Sequence, residues 1–250
     1  MKNTLLLNEI LTIPHSKTQY GAESVRNVCV FDLDSTLFNV SPRTEQILKE
    51  FAAENNRPDF SNISVDPKDW GLKEILTRAG YDMSGRHLDN MQSHKKLVEF
   101  WTEKFFSNYY LHYDTPYLGA VNFVQTLFEK NIEIHYLTGR DTPRMGQGTR
   151  EVLLKWGFPL ATDQHLHLKP HRELDDHEFK LNWVIEFKKQ KKDNPIYFFE
   201  NEPVNINAIG KAITDLKIVY LNTTHSRKEN VNVPVIEIED FSLDSIESES

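Results

Sequence analysis

Three short runs of the chain lack helical periodicity and have the length of a strand buried on both faces: VCVF from Val28, IEIHYL from Ile132 and IYFF from Ile196. A fourth, IVYL, spans Ile218 to Leu221. Each run ends in a polar residue: Asp32, Thr138, Glu200 and Asn222. Between them lie amphipathic stretches, AVNFVQTLFEK before the second run and FKLNWVIEF before the third. Strands alternating with helices predict βαβ units, a parallel sheet and an α/β, doubly wound fold. In such sheets ligands bind beyond the carboxyl ends of the strands, so the four polar termini are expected to converge there.

The spacing of the first two runs breaks this rhythm. About a hundred residues separate them, against the dozen or so that a crossover requires. Within them, Ser41 is a candidate helix cap with Pro42 in the first position and Ile47, Leu48 and Phe51 on one face. WGLKEILTRAG places Leu72, Ile75, Leu76 and Ala79 at helical spacing, with Gly80 as its stop. A third pattern carries Leu97, Trp101, Phe105 and Tyr109 at steps of four. We therefore expect an N-terminal segment (1–27), a core formed by 28–39 and 114–240, a helical insert at 40–113 whose aromatics form its own core, and a solvated acidic tail (241–250).

Composition narrows the function. With 250 residues and a net charge of -8, the chain has room for one large domain plus an insert and lacks the basic balance of a protein that grips a nucleic acid duplex. Its one cysteine, Cys29, lies inside an apolar run, so no intramolecular disulfide is available and a reducing, cytoplasmic setting is expected. The opening MKNTLLLNEILTIP is interrupted by Asn8 and Glu9 and reads poorly as a signal peptide, and no apolar run reaches the length of a membrane span.

A DxD pair after a strand is common in turns, so Asp32 and Asp34 alone say little. Joined to Thr138-Gly139-Arg140 at a second strand end, Glu200 at a third and Lys180 at the start of a helix, they supply metal ligands, phosphate-oxygen donors and a cation, which is what phosphoryl transfer requires. Lys169, before Pro170, competes with Lys180 for the last role. Arg140 and Asp141 read equally well as a substrate contact and as a local ion pair. His165, His167 and His171 invite a zinc site, but no cysteine accompanies them and the spacing is not that of known zinc ligands. Arg86, His87, His94, Lys95 and Lys96 read more readily as a solvated basic face than as a contact for an anionic substrate.

FDLDSTLF, IHYLTGRD, DDHEFKLNWV and YFFENEP resemble, in order and spacing, the four signatures of the haloacid dehalogenase-like hydrolases. The insert after the first motif looks like the helical cap of that family, and PYLGAVNFVQTLFEKN is similar to the helix that leads back from it. The resemblance implies a doubly wound core with a mobile lid. It makes Asp32 a nucleophile that forms an aspartyl-phosphate and Asp34 the acid and base. Thr138 and the Gly139 N–H become phosphate ligands, and Lys180 the residue that holds nucleophile and phosphate together. It places Mg2+ on Asp32, the Asp34 carbonyl and Glu200, a position where the family usually has Asp. The longer Glu raises the alternative that Glu202 or Asn205 completes the metal site through water. The expected activity is a magnesium-dependent phosphomonoesterase acting on a small phosphorylated metabolite or nucleotide. The alternatives are a phosphotransferase or phosphomutase, a phosphoacceptor domain, and a phosphate-binding protein without turnover.

Overall fold

The computed structural model of the chain describes residues 2–12, 26–81, 88–160 and 162–243. In chain order the elements are α1 (Lys2–Thr12), β1 (Val28–Phe31), β2 (Phe38–Asn39), α2 (Ser41–Glu54), α3 (Leu72–Arg78), α4 (Leu88–Phe105) and β3 (Thr115–Pro116). They continue with α5 (Ala120–Glu129), β4 (Glu133–Asp141), α6 (Thr142–Trp156), β5 (Leu166–Lys169), α7 (Asp176–Gln190), β6 (Ile196–Glu200), α8 (Pro203–Ala212), β7 (Lys217–Leu221) and β8 (Ile236–Ile238). Six strands make one sheet in the order β5-β4-β1-β6-β7-β8, every neighbouring pair parallel. The four apolar runs are its centre. β4 is longer than its apolar run and carries Thr138, Gly139 and Arg140 within the strand. β8 was not expected from the sequence.

Because successive side chains of a strand point to opposite faces, the apolar runs split into two cores. Val28 and Val30 of β1 pack with Phe198 and Ile218 under Val184 and Phe187 of α7 and Ile206 and Ile209 of α8. Cys29 and Phe31 pack on the other face with Tyr197 and Phe199, covered by α1, α5 and α6. The Phe31 and Phe199 rings stack at 4.4 Å. Each such side chain contributes about 1.5–3 kcal/mol by leaving water, and burial on both sides is what doubly wound topology means in energetic terms. No described helix is long and apolar enough to cross a membrane.

The insert keeps its own apolar cluster. Leu48, Phe51, Phe60, Leu72, Ile75, Leu76 and Leu97 pack with half-buried Phe100 and Trp101, and no sheet residue belongs to the cluster. Tyr109 leaves the expected stripe, because α4 stops at Phe105 and a 3-10 turn follows at Tyr109–Tyr113. Ser41 is the first residue of α2 and not its cap: Val40 holds the cap position without a side-chain bond, and Asn39 Oδ1, one residue further out, accepts the Ser41 N–H at 3.0 Å. At its base the two ends of the insert lie side by side, since β2 pairs antiparallel with β3 through Phe38↔Pro116 and Asn39↔Thr115. At its rim, Lys68 O accepts Thr224 Oγ1 at 3.0 Å and Arg227 Nη2 at 3.0 Å, while Arg227 pairs with Glu74.

Helix α6 crosses the end of the insert so closely that only glycine fits. The Gly148 N–H donates to Asn108 Oδ1 at 2.8 Å, and a Cβ on Gly148 would stand 2.2 Å from Asn108 O. Alanine is ordinarily the better helix former, yet here Gly148→Ala is expected to lower stability by about 1–3 kcal/mol through overpacking against backbone. A urea denaturation curve checks this, and a stabilised variant would show that the approach is not that close.

Candidate active site

Register brings the polar strand ends together. β1 lies between β4 and β6, so Asp32, which follows β1, stands beside the ends of both neighbours. Lys180 reaches the same edge from the first turns of α7. That helix starts where it does because Asp175 accepts the N–H groups of His177 and Glu178 at 2.9 and 3.1 Å. The Lys180 ammonium is buried and bridges two carboxylates, donating to Asp32 Oδ1 at 2.6 Å and Glu200 Oε2 at 2.7 Å. Lys169 serves elsewhere, donating to Leu174 O at 2.8 Å and pairing with Asp176.

The two carboxylates differ in how much of their accepting capacity is used. Glu200 accepts from four donors: Asn201 N and Glu202 N on Oε1 at 3.0 and 3.1 Å, and Lys180 Nζ and Asn205 Nδ2 on Oε2 at 2.7 and 3.1 Å. A carboxylate has about four lone-pair sites, so Glu200 is saturated. The extra methylene relative to Asp lets the side chain fold back onto its own following N–H groups. Asp32 has Lys180 on one oxygen and Thr36 Oγ1 at 2.9 Å on the other. The same hydroxyl lies 3.0 Å from Asn201 Oδ1, whose orientation is fixed because Asn201 Nδ2 donates to the carbonyl of Thr224 at 2.5 Å. One hydroxyl proton therefore serves two acceptors. Burial, followed by the nearby Glu200 charge, outweighs Lys180 and pushes the Asp32 carboxyl up to about 7.

Asp34 lies in a different environment. Arg140 grips it through Nε to Oδ2 at 3.0 Å and Nη2 to Oδ1 at 2.7 Å, and Arg43 Nη2 adds a bond to Oδ1 at 2.9 Å. Burial disfavours its charge, but the two guanidinia prevail and hold its carboxyl far below the usual range. Both arginines also bond to Asp114, at 2.8 Å or less. Arg140 is thus an internal partner of Asp34, while Asp141 pairs with Arg144 and caps α6. Of these carboxylates only Asp34 has appreciable exposure, 34% of its side chain.

Thr138 is buried at the end of β4, and its hydroxyl accepts the Arg140 N–H at 3.3 Å. Gly139 faces the start of α7, where a Cβ would stand 2.5 Å from Asp176 Oδ2. The three histidines of the HLHLKPH stretch take separate partners. His165 Nδ1 bonds to Ile134 O at 2.7 Å, His171 faces Glu173 at 3.4 Å, and His167 contacts His135 at 3.0 Å, which in turn bonds to Glu133 at 2.8 Å. Of the basic face, Arg86 and His87 fall outside the described residues, His94 is half-buried and Lys95 and Lys96 are exposed.

Arg43, Asp114, Thr36 and Asn201 were not singled out from the sequence. Thr36 could have been, as the polar residue four after Asp32 in the same turn. Arg43 sits four residues before Ile47 on the face of α2 that is buried, and a charge on an apolar face is a signal that a partner is required.

Among curated proteins none matches the sequence. Solved structures do. A candidate phosphatase from Clostridium difficile aligns with a TM-score of 0.53 at 14% identity, over 84% of this chain and 93% of its own. A candidate haloacid dehalogenase-like hydrolase from Burkholderia xenovorans aligns with a TM-score of 0.52 at 13% identity, over 86% and 93%. At such identity these likenesses speak for the fold. The family model for haloacid dehalogenase-like hydrolases matches residues 27–193, a span that holds Asp32, Asp34, Thr138 and Lys180. With two thirds of its length matched in this way, and its sheet carrying those residues to one edge, the chain belongs to the haloacid dehalogenase-like hydrolases.

Proposed function

We propose that the chain is a phosphomonoesterase of the cytoplasm that works through Asp32 on a small phosphorylated metabolite or nucleotide, with Mg2+. The observation that carries this reading is the Lys180 bridge, which aims Asp32 at the strand edge where Thr138 and Gly139 emerge. Asp32 attacks phosphorus, the bond to the leaving oxygen breaks, and an aspartyl-phosphate forms on Asp32. Lys180 neutralises charge on the nucleophile and the transferred group, and Thr138 and the Gly139 N–H bind phosphate oxygens. Water then attacks the phosphorus and releases Asp32. Asp34, exposed to solvent and held ionised, takes the proton of that water. Because it is ionised at rest, leaving groups that depart without a proton are favoured in the first step. The insert lies on the leaving-group side as a cap and selects the substrate.

The residues present fit the metal, with one change to the expected set. Asp32, Asp34, Asp114 and Glu200 outnumber Lys180, Arg43 and Arg140 by one negative charge, so a divalent cation reverses the sign that a phosphate dianion meets. The hard oxygens with spare lone pairs are Asp32 Oδ2, Asn201 Oδ1 and Thr36 Oγ1, which share one proton. In this reading Asp32, the Asp34 carbonyl and Asn201 would hold Mg2+, and Glu200 instead positions Lys180. Bound there, Mg2+ supplies charge neutralisation for the phosphate.

Purified protein with Mg2+ should hydrolyse an aryl phosphate such as p-nitrophenyl phosphate faster than an alkyl phosphate. Asp32→Asn should abolish turnover, and Asp34→Asn should lower it by about 10²- to 10⁴-fold. Full activity in Asp32→Asn, with deamidation excluded, sinks the reading.

Metal binding separates the two candidate ligands. Isothermal titration with Mg2+ should show weaker binding in Asn201→Ala and tighter binding in Asn201→Asp, with a smaller change in Glu200→Gln. The reverse order would restore Glu200 as the ligand.

Since the nucleophile must be ionised, kcat/KM should fall as pH drops through the Asp32 pKa. A cation favours the carboxylate, so at saturating Mg2+ the acid limb should lie below about 7 and climb towards it as Mg2+ is withdrawn. A limb that ignores Mg2+ would place the metal away from Asp32.

A further inference from the structure

Arg43 is the largest wholly buried side chain among the described residues. It belongs to the insert, at the start of α2, and all of its polar atoms are used. Nε and Nη2 donate to Asp114 at 2.8 and 2.5 Å, Nη2 also to Asp34 at 2.9 Å, and Nη1 to Phe105 O at 3.2 Å. The Phe105 ring lies 4.3 Å from the guanidinium carbon. Arg140 repeats the pattern from β4, bonding to Asp34 and, at 2.8 Å, to Asp114. Two acids and two guanidinia thus close a ring in which each acid touches both cations.

Asp34 alone would not hold this arrangement. Two guanidinia converging on one carboxylate repel one another in a dry interior, and a buried cation without its own counter-charge is strongly destabilising. Asp114, fully buried, supplies that counter-charge, taking the Arg43 fork on both its oxygens and Arg140 through Nη2 alone. Its place in the chain matters: Arg43 follows β2 and Asp114 precedes β3, the two strands that bring the ends of the insert together.

We propose that Arg43 and Asp114 are positioning residues for Asp34, so that the ion pair stapling the base of the insert also sets where the Asp34 carboxylate stands. Its kinetic readout rests on the phosphatase reading given above. A carboxylate displaced by about 1 Å from its working position costs roughly 10²-fold in rate. Neither residue bonds to Asp32, Lys180 or Thr138, and the one group of the proposed mechanism that Arg43 contacts is Asp34, so their effect passes through Asp34.

The test is a double-mutant cycle on p-nitrophenyl phosphate hydrolysis at saturating Mg2+. Arg43→Lys keeps the charge and loses the fork, while Asp114→Asn keeps the shape and loses the charge. Each should lower kcat by about 10- to 100-fold with little change in KM. In an Asp34→Asn background each should change kcat by less than about twofold, because the group they position is gone. Equal losses in both backgrounds would mean a merely structural pair and would overturn the proposal, as would unchanged kcat in the parent. Should Arg43→Lys fail to fold, Asp114→Asn completes the same cycle. A wild type inert towards every phosphate ester would sink the phosphatase reading instead. The contact is then read from urea denaturation of Arg43→Lys and Asp34→Asn, singly and together, where additive effects overturn the positioning claim and coupling upholds it.

Discussion

Carboxylates gathered at one edge of a parallel sheet stay ionised only where cations are brought to them, and this constraint organises the rest of the molecule. The middle of the sheet is apolar on both faces, and its own charges at this edge stand at the strand ends, Glu200 on β6 and Arg140 and Asp141 on β4. Lys180 must come from α7, Arg140 from the prolonged end of β4, and Arg43 from the insert. Each cation is buried with its acid, and removing one partner of such a pair costs about 3–5 kcal/mol because the other is stranded. The positions of α7 and α2 are therefore tied to the charges at the sheet edge as firmly as to their apolar faces.

Asp32 and Asp34 share a strand end yet are driven in opposite directions. Asp32 has one ammonium, shared with Glu200, and burial pushes its carboxyl up. Asp34 has two guanidinia and is held as a carboxylate. Titratable neighbours with separated affinities for the proton can take different chemical roles. Here the separation comes from which element supplies the cation: core helix α7 for Asp32, insert and β4 for Asp34.

Much of this was legible in the sequence. The short, largely apolar runs and their polar ends foretold the parallel sheet and the edge at which Asp32 and Glu200 stand with Thr138 on a neighbouring strand, because strand burial and strand direction follow from local pattern. Side-chain conformation did not. Nothing in YFFENEP tells whether Glu200 reaches outward or folds back onto the N–H groups of Asn201 and Glu202. Arg140 could not be told apart as substrate contact or internal ion pair, since its partners Asp34 and Asp114 are 106 and 26 residues away. Strand β8 escaped because Ile236 and Glu237 are exposed and only Ile238 is buried, so its three residues carry no apolar run.

The same comparison of buried and exposed charge says how the insert is held. At its base, beside the half-buried β2–β3 ribbon, the Arg43–Asp114 pair is shielded from water, and breaking it leaves a charge in an interior that cannot solvate it. At its rim the Arg227–Glu74 pair is half exposed, 51% and 39%, and an ion pair in that setting contributes at most about 1 kcal/mol. Thr224, itself buried, and Arg227 add two hydrogen bonds to Lys68 O, of which the exposed Arg227 bond has water as a ready substitute. The insert is thus bound tightly where it leaves and rejoins the core and lightly at its far edge. The tight end is also the end that contacts Asp34, so the bonds that hold the insert at its base are continuous with those that hold this carboxylate.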